Sequence, residues 1–394
     1  MKKQKLRQLL SLDTSTLGAL AKDAMGTSRI ERNEARSVVT EIGRQGFVLV
    51  VTAHQLIELM QHGDDRVVES RLLWLRNLPS VAWIQLDKKG YPQPGLISHV
   101  LAAEVFAVIA GRPQSPRDMI ALVRPILYRF GSGLPALSML WECWNSEYRN
   151  HYRATLERSY RKAAAVASVC AHDESFDEIP FDVDAPTSLV SDIAGAKQRY
   201  AKRMATTIET RGDPNVVREA NRLSEQFAAS LPAEDLSMEA SGMAPHMALL
   251  KRVGLGREDV IGAKTVGDVS DLTHLGLRLR NACQILKMPF TLRLRDISAD
   301  FLVSWQVGRS ITAIQRKAHR VKGSDFNDAY VASLSPYCDV IEGDKRTVEY
   351  VRQLRQSKPE LGSLIGDVVR VPNYRELPNI LATIRFVSTD QRLA

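Results

Sequence analysis

The stretch GSDFNDAYVASLSPYCDVIEGDK, residues 323–345, combines a helical pattern with a short apolar strand pattern. NDAYVASLS predicts a helix, CDVIE (338–342) predicts a buried strand, and KRTVEYVRQLRQ, which follows, predicts another helix. This alternation is typical of βαβ units, in which helices join parallel strands. The stretch holds four aspartates and one glutamate, whereas RSITAIQRKAHRVK directly before it has five Lys or Arg and no acid.

The same alternation occurs at the start of the chain and continues to its end. Short apolar runs bounded by turn residues or acids predict strands, and runs with apolar residues on one helical face predict helices. The strands are LLSL (9–12), FVLVV (47–51), VAWIQL (81–86) and DVVRV (367–371), and the helices are AHQLIELMQH (53–62) and ESRLLWLRNL (69–78).

The middle of the chain has a different pattern. Residues 96–295 show helical periodicity, frequent Arg and Ala, and few β-branched runs. The sequence therefore predicts an α/β domain with a parallel sheet, formed by residues 1–95 and 296–394, and an all-helical insertion at 96–295. Two sequential domains are the alternative that the pattern leaves open.

Composition and charge limit the functional classes. The 394 residues carry a net charge of +8 and a pI of about 9.3, which suits a polyanionic partner such as nucleic acid but also an ordinary basic surface. The four cysteines show neither metal-ligand nor redox spacing, and no apolar run is long enough to cross a membrane. We therefore expect a cytoplasmic protein with reduced thiols and no membrane association.

Carboxylates follow two of the predicted strands. Asp13 ends the first strand, and Asp344 follows the strand at 338–342. Asp325 and Asp328 are spaced i, i+3 at the start of a helix, and Glu58 lies on the helix after the second strand. Acids from the carboxyl ends of parallel strands converge on one edge of the sheet, and such hard oxygen ligands favour Mg²⁺ or Mn²⁺.

Each of these acids also has a structural interpretation. Asp13 and Asp344 can cap helices, Asp325 and Asp328 can complement a helix N-terminus, and Glu58 can be a solvated charge. The remaining acids near the strands are interpreted as structural only: Asp87, Asp339 and Glu342.

A cationic strip precedes the acids of residues 323–345. Basic side chains along one helix would bind backbone phosphates without reading sequence, although a solvated helix face is the alternative. Its members are Arg309, Arg316, Lys317, Arg320 and Lys322.

Three stretches together resemble the PIN-domain nucleases, including the larger bacterial PIN-like proteins: LDTSTL (12–17), TAHQLIELM (52–60) and residues 323–345. The resemblance implies a Rossmann-like parallel sheet and Mg²⁺- or Mn²⁺-dependent cleavage of RNA, or sometimes of structured DNA. The family's acids fall on Asp13, Glu58, Asp325, Asp328 and Asp344, of which Asp13, Glu58, Asp328 and Asp344 would bind the metal.

Two departures from the family's pattern stand out. Gly343 occupies the position where many members have a small hydroxyl residue, and the helical insertion makes the chain far longer than a minimal member. The resemblance covers roughly residues 8–95 and 300–360, which is somewhat under half of the chain.

The expected function is therefore that of a metal-dependent endoribonuclease, with RNA favoured over DNA. A water activated by the metal would attack in line and leave a 5′-phosphate and a 3′-hydroxyl. Two alternatives stay open: a PIN-like scaffold that binds nucleic acid or a partner without cutting, and a toxin or defence nuclease controlled by an inhibitory partner protein. Homo-oligomerisation is also open.

Overall fold

The computed structural model describes residues 7–86, 94–111, 113–144, 147–151, 154, 193–211, 217–230, 264–289, 297, 299–316 and 324–384. The backbone alone is described at 143, 193, 196, 200, 203, 207, 211, 227, 230, 266, 270, 316 and 324–328. The backbone divides into two compact units. Unit 1 comprises residues 1–156, 300–311 and 328–394, and unit 2 comprises residues 157–299 and 312–327. Unit 1 is thus built from both ends of the chain.

One six-stranded sheet forms the centre of unit 1, in the order β4-β3-β2-β1-β5-β6. β4 is antiparallel to β3, and all the other neighbours are parallel. The mixed α/β class and the mostly parallel sheet predicted from the sequence are therefore confirmed. The strands are β1 (Gln8–Ser11), β2 (Phe47–Val51), β3 (Val81–Ile84), β4 (Tyr128–Gly131), β5 (Val340–Glu342) and β6 (Asp367–Val369).

Helices connect these strands, and most of them belong to unit 1. In chain order they are α1 (Thr14–Met25), α2 (Arg29–Arg44), α3 (Ala53–Met60), α4 (Asp65–Arg76), α5 (Ser98–Ile109), α6 (Pro116–Leu127), α7 (Gly133–Cys143), α8 (Ile193–Arg211), α9 (Ala220–Ser230), α10 (Val266–Ile285), α11 (Val303–Arg316), α12 (Ser324–Ser333), α13 (Lys345–Ser357), α14 (Pro359–Ser363) and α15 (Leu377–Thr383). Of these, α8, α9 and α10 lie in unit 2, and the division between the units passes through α11 and α12.

Both faces of the sheet are covered, because the parallel strands send alternate residues into two apolar clusters. Leu10, Leu49 and Trp83 enter the cluster formed with α1, α2 and α4. Val50 and Ile84 enter the cluster formed with α5 and α6 on the other face. All five residues of β2 are buried, which explains why its sequence is a continuous apolar run rather than an alternating one.

The boundary of the predicted insertion differs in the structure. Residues 98–143 were assigned to an all-helical segment, but they lie in unit 1, and β4 pairs with β3 through Ile84 and Tyr128. Helix α5 is apolar on almost every side, and with α6 it covers one face of the sheet. The helical pattern of residues 96–127 was therefore predicted, but its burial against the sheet was not.

Within the described residues, no helix is both long enough and apolar enough to cross a membrane.

Candidate functional site

The carboxyl ends of β1 and β5 form the point where the strand order reverses. From β1 the chain builds β2 and then β3 on one side, and β5 pairs with β1 on the other side, with Leu10 opposite Val340 and Ser11 opposite Ile341. In open parallel sheets, such a switch point leaves a crevice where ligands bind. The residues that leave these two strands therefore define the candidate site.

Asp13 and Asp344 each stand at the start of a helix on this edge. Asp344 caps α13, because its Oδ1 accepts a hydrogen bond from the Thr347 backbone N–H at 2.7 Å. Asp13 occupies the N-cap position of α1, but its carboxylate does not cap that helix. It instead accepts a hydrogen bond from the Ser15 hydroxyl. Among the described residues, Asp13 Oδ1 and Asp344 Oδ2 make no hydrogen bond.

Glu342 joins the ends of the two strands. It is the last residue of β5, and its side chain is only 4% exposed. Its Oε2 accepts a hydrogen bond from the Asp13 backbone N–H at 2.7 Å, and its Oε1 accepts one from Thr16 Oγ1 at 3.1 Å. The carboxylate thus fixes the first turn of α1 to the end of β5.

The surroundings of Glu342 disfavour the ionisation of its carboxyl group. Burial, together with the negative charges of Asp13 and Asp344, raises the pKa of Glu342 to about 7, although the hydrogen bonds from the Asp13 N–H and the Thr16 hydroxyl oppose the shift. Glu342 is therefore close enough to both aspartates to be repelled by their charges. A cation at this edge would relieve that repulsion.

Gln55, a residue of α3, holds the chain where β1 ends. Its side chain is buried and donates a hydrogen bond to the Leu12 carbonyl oxygen at 2.6 Å. Its own oxygen accepts the Thr52 backbone N–H at 2.8 Å, and the Thr52 hydroxyl accepts the Gln55 N–H, which completes a capping box. The residue before Asp13 is thus held by the helix that follows β2.

His54 links α3 to α12. Its ring stacks on the Tyr330 ring at a centroid distance of 5.4 Å and an interplanar angle of 29°. Burial lowers the pKa of His54, so its imidazole is neutral at pH 7. Tyr330 lies two residues after Asp328 in α12, so the stacking brings this helix beside the residues that follow β2.

The predicted acidic set is only partly described. Glu58 lies in α3, one turn after His54, and is half-buried. Asp325 and Asp328 belong to α12, but their side chains lie outside the described residues. In the part of the chain that is described, no group of three or more His, Cys, Asp or Glu is arranged to hold a metal ion. Any such group would need a side chain outside the described residues, as those of Asp325 and Asp328 are.

Of the five residues in the predicted cationic strip, the structure describes the side chain of one. Arg309 is an exposed residue of α11, and Arg316 ends that helix with only its backbone described. The other members, Lys317, Arg320 and Lys322, lie outside the described residues.

Asp339 and Glu342 were both interpreted as structural, and the structure separates them. Asp339 pairs with Arg124 and accepts the Leu9 backbone N–H at 2.7 Å, where β1 and β5 begin. Glu342 lies at the other end of β5, against Asp13. Asp87 lies outside the described residues.

The presence of glycine at position 343 has a steric explanation in this chain. A Cβ atom there would lie 3.1 Å from Thr347 Cγ2 and 3.2 Å from Thr347 Cβ. Thr347 is buried and donates its backbone N–H to Asp344. A hydroxyl residue at 343 would therefore require Thr347, whose backbone N–H Asp344 accepts, to shift slightly.

Sequence reasoning missed Glu342 and Gln55 as parts of this edge. The sequence does contain one signal for Gln55, since Thr52 and Gln55 have the spacing of a capping box. For Glu342 the signal is its place at the end of a strand, the same one that singled out Asp13.

Comparisons with known proteins add no relative to this description. No family model matches the chain, and neither the curated proteins nor the solved structures contain a significant match to it.

Proposed function

We propose that this protein is a metal-dependent nuclease with a Rossmann-like, PIN-like domain, and that it hydrolyses phosphodiester bonds of RNA. The observation that carries the proposal is the clustering of Asp13, Glu342 and Asp344 where β1 and β5 end side by side. This is the crevice in which open parallel sheets bind ligands.

The donor set fits a hard divalent cation. Asp13 Oδ1 and Asp344 Oδ2 accept no hydrogen bond from the described residues and are available as ligands. In the proposal, Asp328 completes the metal-binding set, and Glu58 and Asp325 bind the cation directly or through water. Mg²⁺ and Mn²⁺ prefer carboxylate oxygens and water to nitrogen or sulfur.

The protein's own residues would prepare this edge for the reaction. Glu342 holds the Asp13 backbone and the Thr16 hydroxyl, so that the first turn of α1 has a fixed position. Gln55 does the same for Leu12. A bound Mg²⁺ or Mn²⁺ supplies acidity to water and neutralises charge on the phosphate oxygens.

A nucleic acid is proposed as the substrate because of the charge distribution, and RNA is favoured over DNA by the resemblance to the PIN-domain nucleases. The net charge is +8, and the cationic strip that includes Arg309 directly precedes α12 in the chain. Basic side chains next to a metal site would attract the phosphate backbone and contribute affinity without sequence selectivity.

A cleavage assay with matched variants tests the proposal. Labelled single-stranded RNA is incubated with the purified protein and Mg²⁺ or Mn²⁺, alongside the variants Asp13→Asn and Asp328→Asn. We expect each variant to lose about a hundredfold or more in cleavage rate, the scale of removing one charge-stabilising group. Glu31→Gln, which removes an exposed carboxylate on α2, should keep the wild-type rate.

Full activity in Asp328→Asn would refute the site assignment. Wild-type protein that binds RNA but neither cleaves it nor binds Mn²⁺ would instead identify a non-catalytic nucleic-acid-binding scaffold.

A further inference from the structure

The helix α8 in unit 2 carries a concentrated positive charge that the proposed nuclease site does not use. Its 19 residues include five Lys or Arg and one Glu, and the first 11 of them contain four cations and no acid. Lys202 is exposed and makes no ion pair with any described residue. An excess of positive charge on one helix suits a polyanionic partner.

Two of these cations, Lys197 and Lys202, border a groove between α8 and α9. The two helices pack through buried apolar residues, including Met204, Ile208 and Leu223. Lys197 joins them further, because its ammonium donates a hydrogen bond to the Ala229 carbonyl oxygen at 3.1 Å. The groove therefore has one wall from each helix and a lysine fixed at its rim.

The lining of the groove combines small apolar residues with polar ones. Its volume is about 460 Å³, and Ala194, Ala201, Ala228 and Ala229 line it together with the polar residues. Lys197 and Lys202 contribute ammonium groups, Gln198 and Asn221 contribute amides, and Glu225 contributes a carboxylate.

We propose that the groove between α8 and α9 binds the backbone of single-stranded RNA without sequence selectivity. The two lysines would contact phosphates. The amides of Gln198 and Asn221 can both donate and accept hydrogen bonds, as contacts with ribose hydroxyls and unpaired base edges require. The alanines leave room for a chain to lie along the helices.

A binding experiment in EDTA separates this proposal from the nuclease proposal, because binding is measured with cleavage suppressed. The probe is a fluorescein-labelled oligouridylate of about 16 nucleotides, the upper site size of many single-strand binding folds. Fluorescence anisotropy gives Kd at several salt concentrations for the full-length protein, for Lys197→Gln/Lys202→Gln and for the control Lys264→Gln/Lys287→Gln. The control lysines are exposed residues at the two ends of α10 in the same unit.

We expect the groove variant to bind more weakly and to lose about 1.4 from the slope of log K against log salt, since each single-strand phosphate contact contributes about 0.7. The control should keep the wild-type slope. Glu225→Gln should tighten Kd by about twofold, because it removes a charge that repels phosphate. Circular dichroism confirms that each variant is folded.

An unchanged slope in the groove variant would overturn the proposal, as would an equal loss in the control. Wild-type binding to phosphatidylserine vesicles but not to the oligonucleotide would assign the surface to a membrane and also refute the proposal. Weaker binding of the oligonucleotide after Glu225→Gln would do the same, because a carboxylate beside bound phosphates should oppose binding rather than support it.

Discussion

At the residue scale, Glu342 is the group that distinguishes this edge of the sheet from a pair of ordinary helix caps. Its buried carboxylate satisfies the Asp13 N–H and the Thr16 hydroxyl, while two further carboxylates raise its pKa. A residue that only capped a helix would not need burial beside like charges. In the proposed function, a cation bound at this edge would neutralise that repulsion.

Substitution of Glu342 tests its role in holding α1. Glu342→Ala leaves the Asp13 N–H without its acceptor, so we expect the free energy of unfolding to fall by about 1–3 kcal/mol. Glu342→Gln keeps an oxygen for that N–H and removes the repulsion, so its loss should be smaller, below about 1 kcal/mol. Urea denaturation measures both, and equal losses would contradict the assigned hydrogen bond.

At the scale of elements, the sequence predicted most of the sheet. FVLVV matches β2 at 47–51, and the strand at 338–342 corresponds to β5 at 340–342, because continuous apolar runs between turn residues are typical of buried parallel strands. β4 was missed, since YRFG (128–131) is short, directly follows α6 and alternates too briefly to be recognised.

For the candidate site, the sequence predicted the positions of two residues but not the contact between them and the end of β5. Asp13 and Asp344 were predicted from their positions after strands, and both are found at the switch point. The hydrogen bond between Glu342 and Asp13 could not be predicted, because it joins residues separated by 329 positions and depends on the pairing of β1 with β5.

A second buried carboxylate, Glu104, connects α5, α11 and the loop before β5. Glu104 is fully buried and accepts hydrogen bonds from the Ser304 backbone N–H at 2.8 Å, the Ser304 hydroxyl at 2.7 Å and the Tyr337 hydroxyl at 2.5 Å. Burial raises its pKa to about 7, and the three hydrogen bonds only partly oppose that shift.

Glu104 therefore makes stability depend on pH. Between the usual carboxyl pKa of 4.5 and about 7, the folded protein holds a proton that the unfolded chain releases, so its stability falls as pH rises through this window. We expect Glu104→Gln to lose this contribution, which amounts to about 3 kcal/mol at most. Urea denaturation from pH 4 to 8 measures it, with Glu31→Gln as the exposed control.

The pH experiment has a clear contrary outcome. Glu342 contributes in the same window, so some pH dependence will persist in Glu104→Gln. If the pH dependence of Glu104→Gln is identical to that of Glu31→Gln, Glu104 does not hold a proton in the folded state.

At the scale of the whole molecule, the chain assembles unit 1 from its two ends. β1 and β2 come from the first 51 residues, and β5 and β6 come from residues 340–369. This route is what creates the switch point, since the chain must return beside β1 after building β2 and β3 on its other side. The described helices between residues 193 and 285 belong to unit 2. Two of them, α8 and α9, form the basic groove.

The most direct test is a crystal structure of the protein soaked in Mn²⁺, with anomalous diffraction used to locate the ion. We predict one Mn²⁺ at the carboxyl ends of β1 and β5, about 2.1 Å from oxygens of Asp13, Asp328 and Asp344. An ordered Asp328 side chain directed away from this edge, with no Mn²⁺ bound there at saturating concentration, would contradict the account.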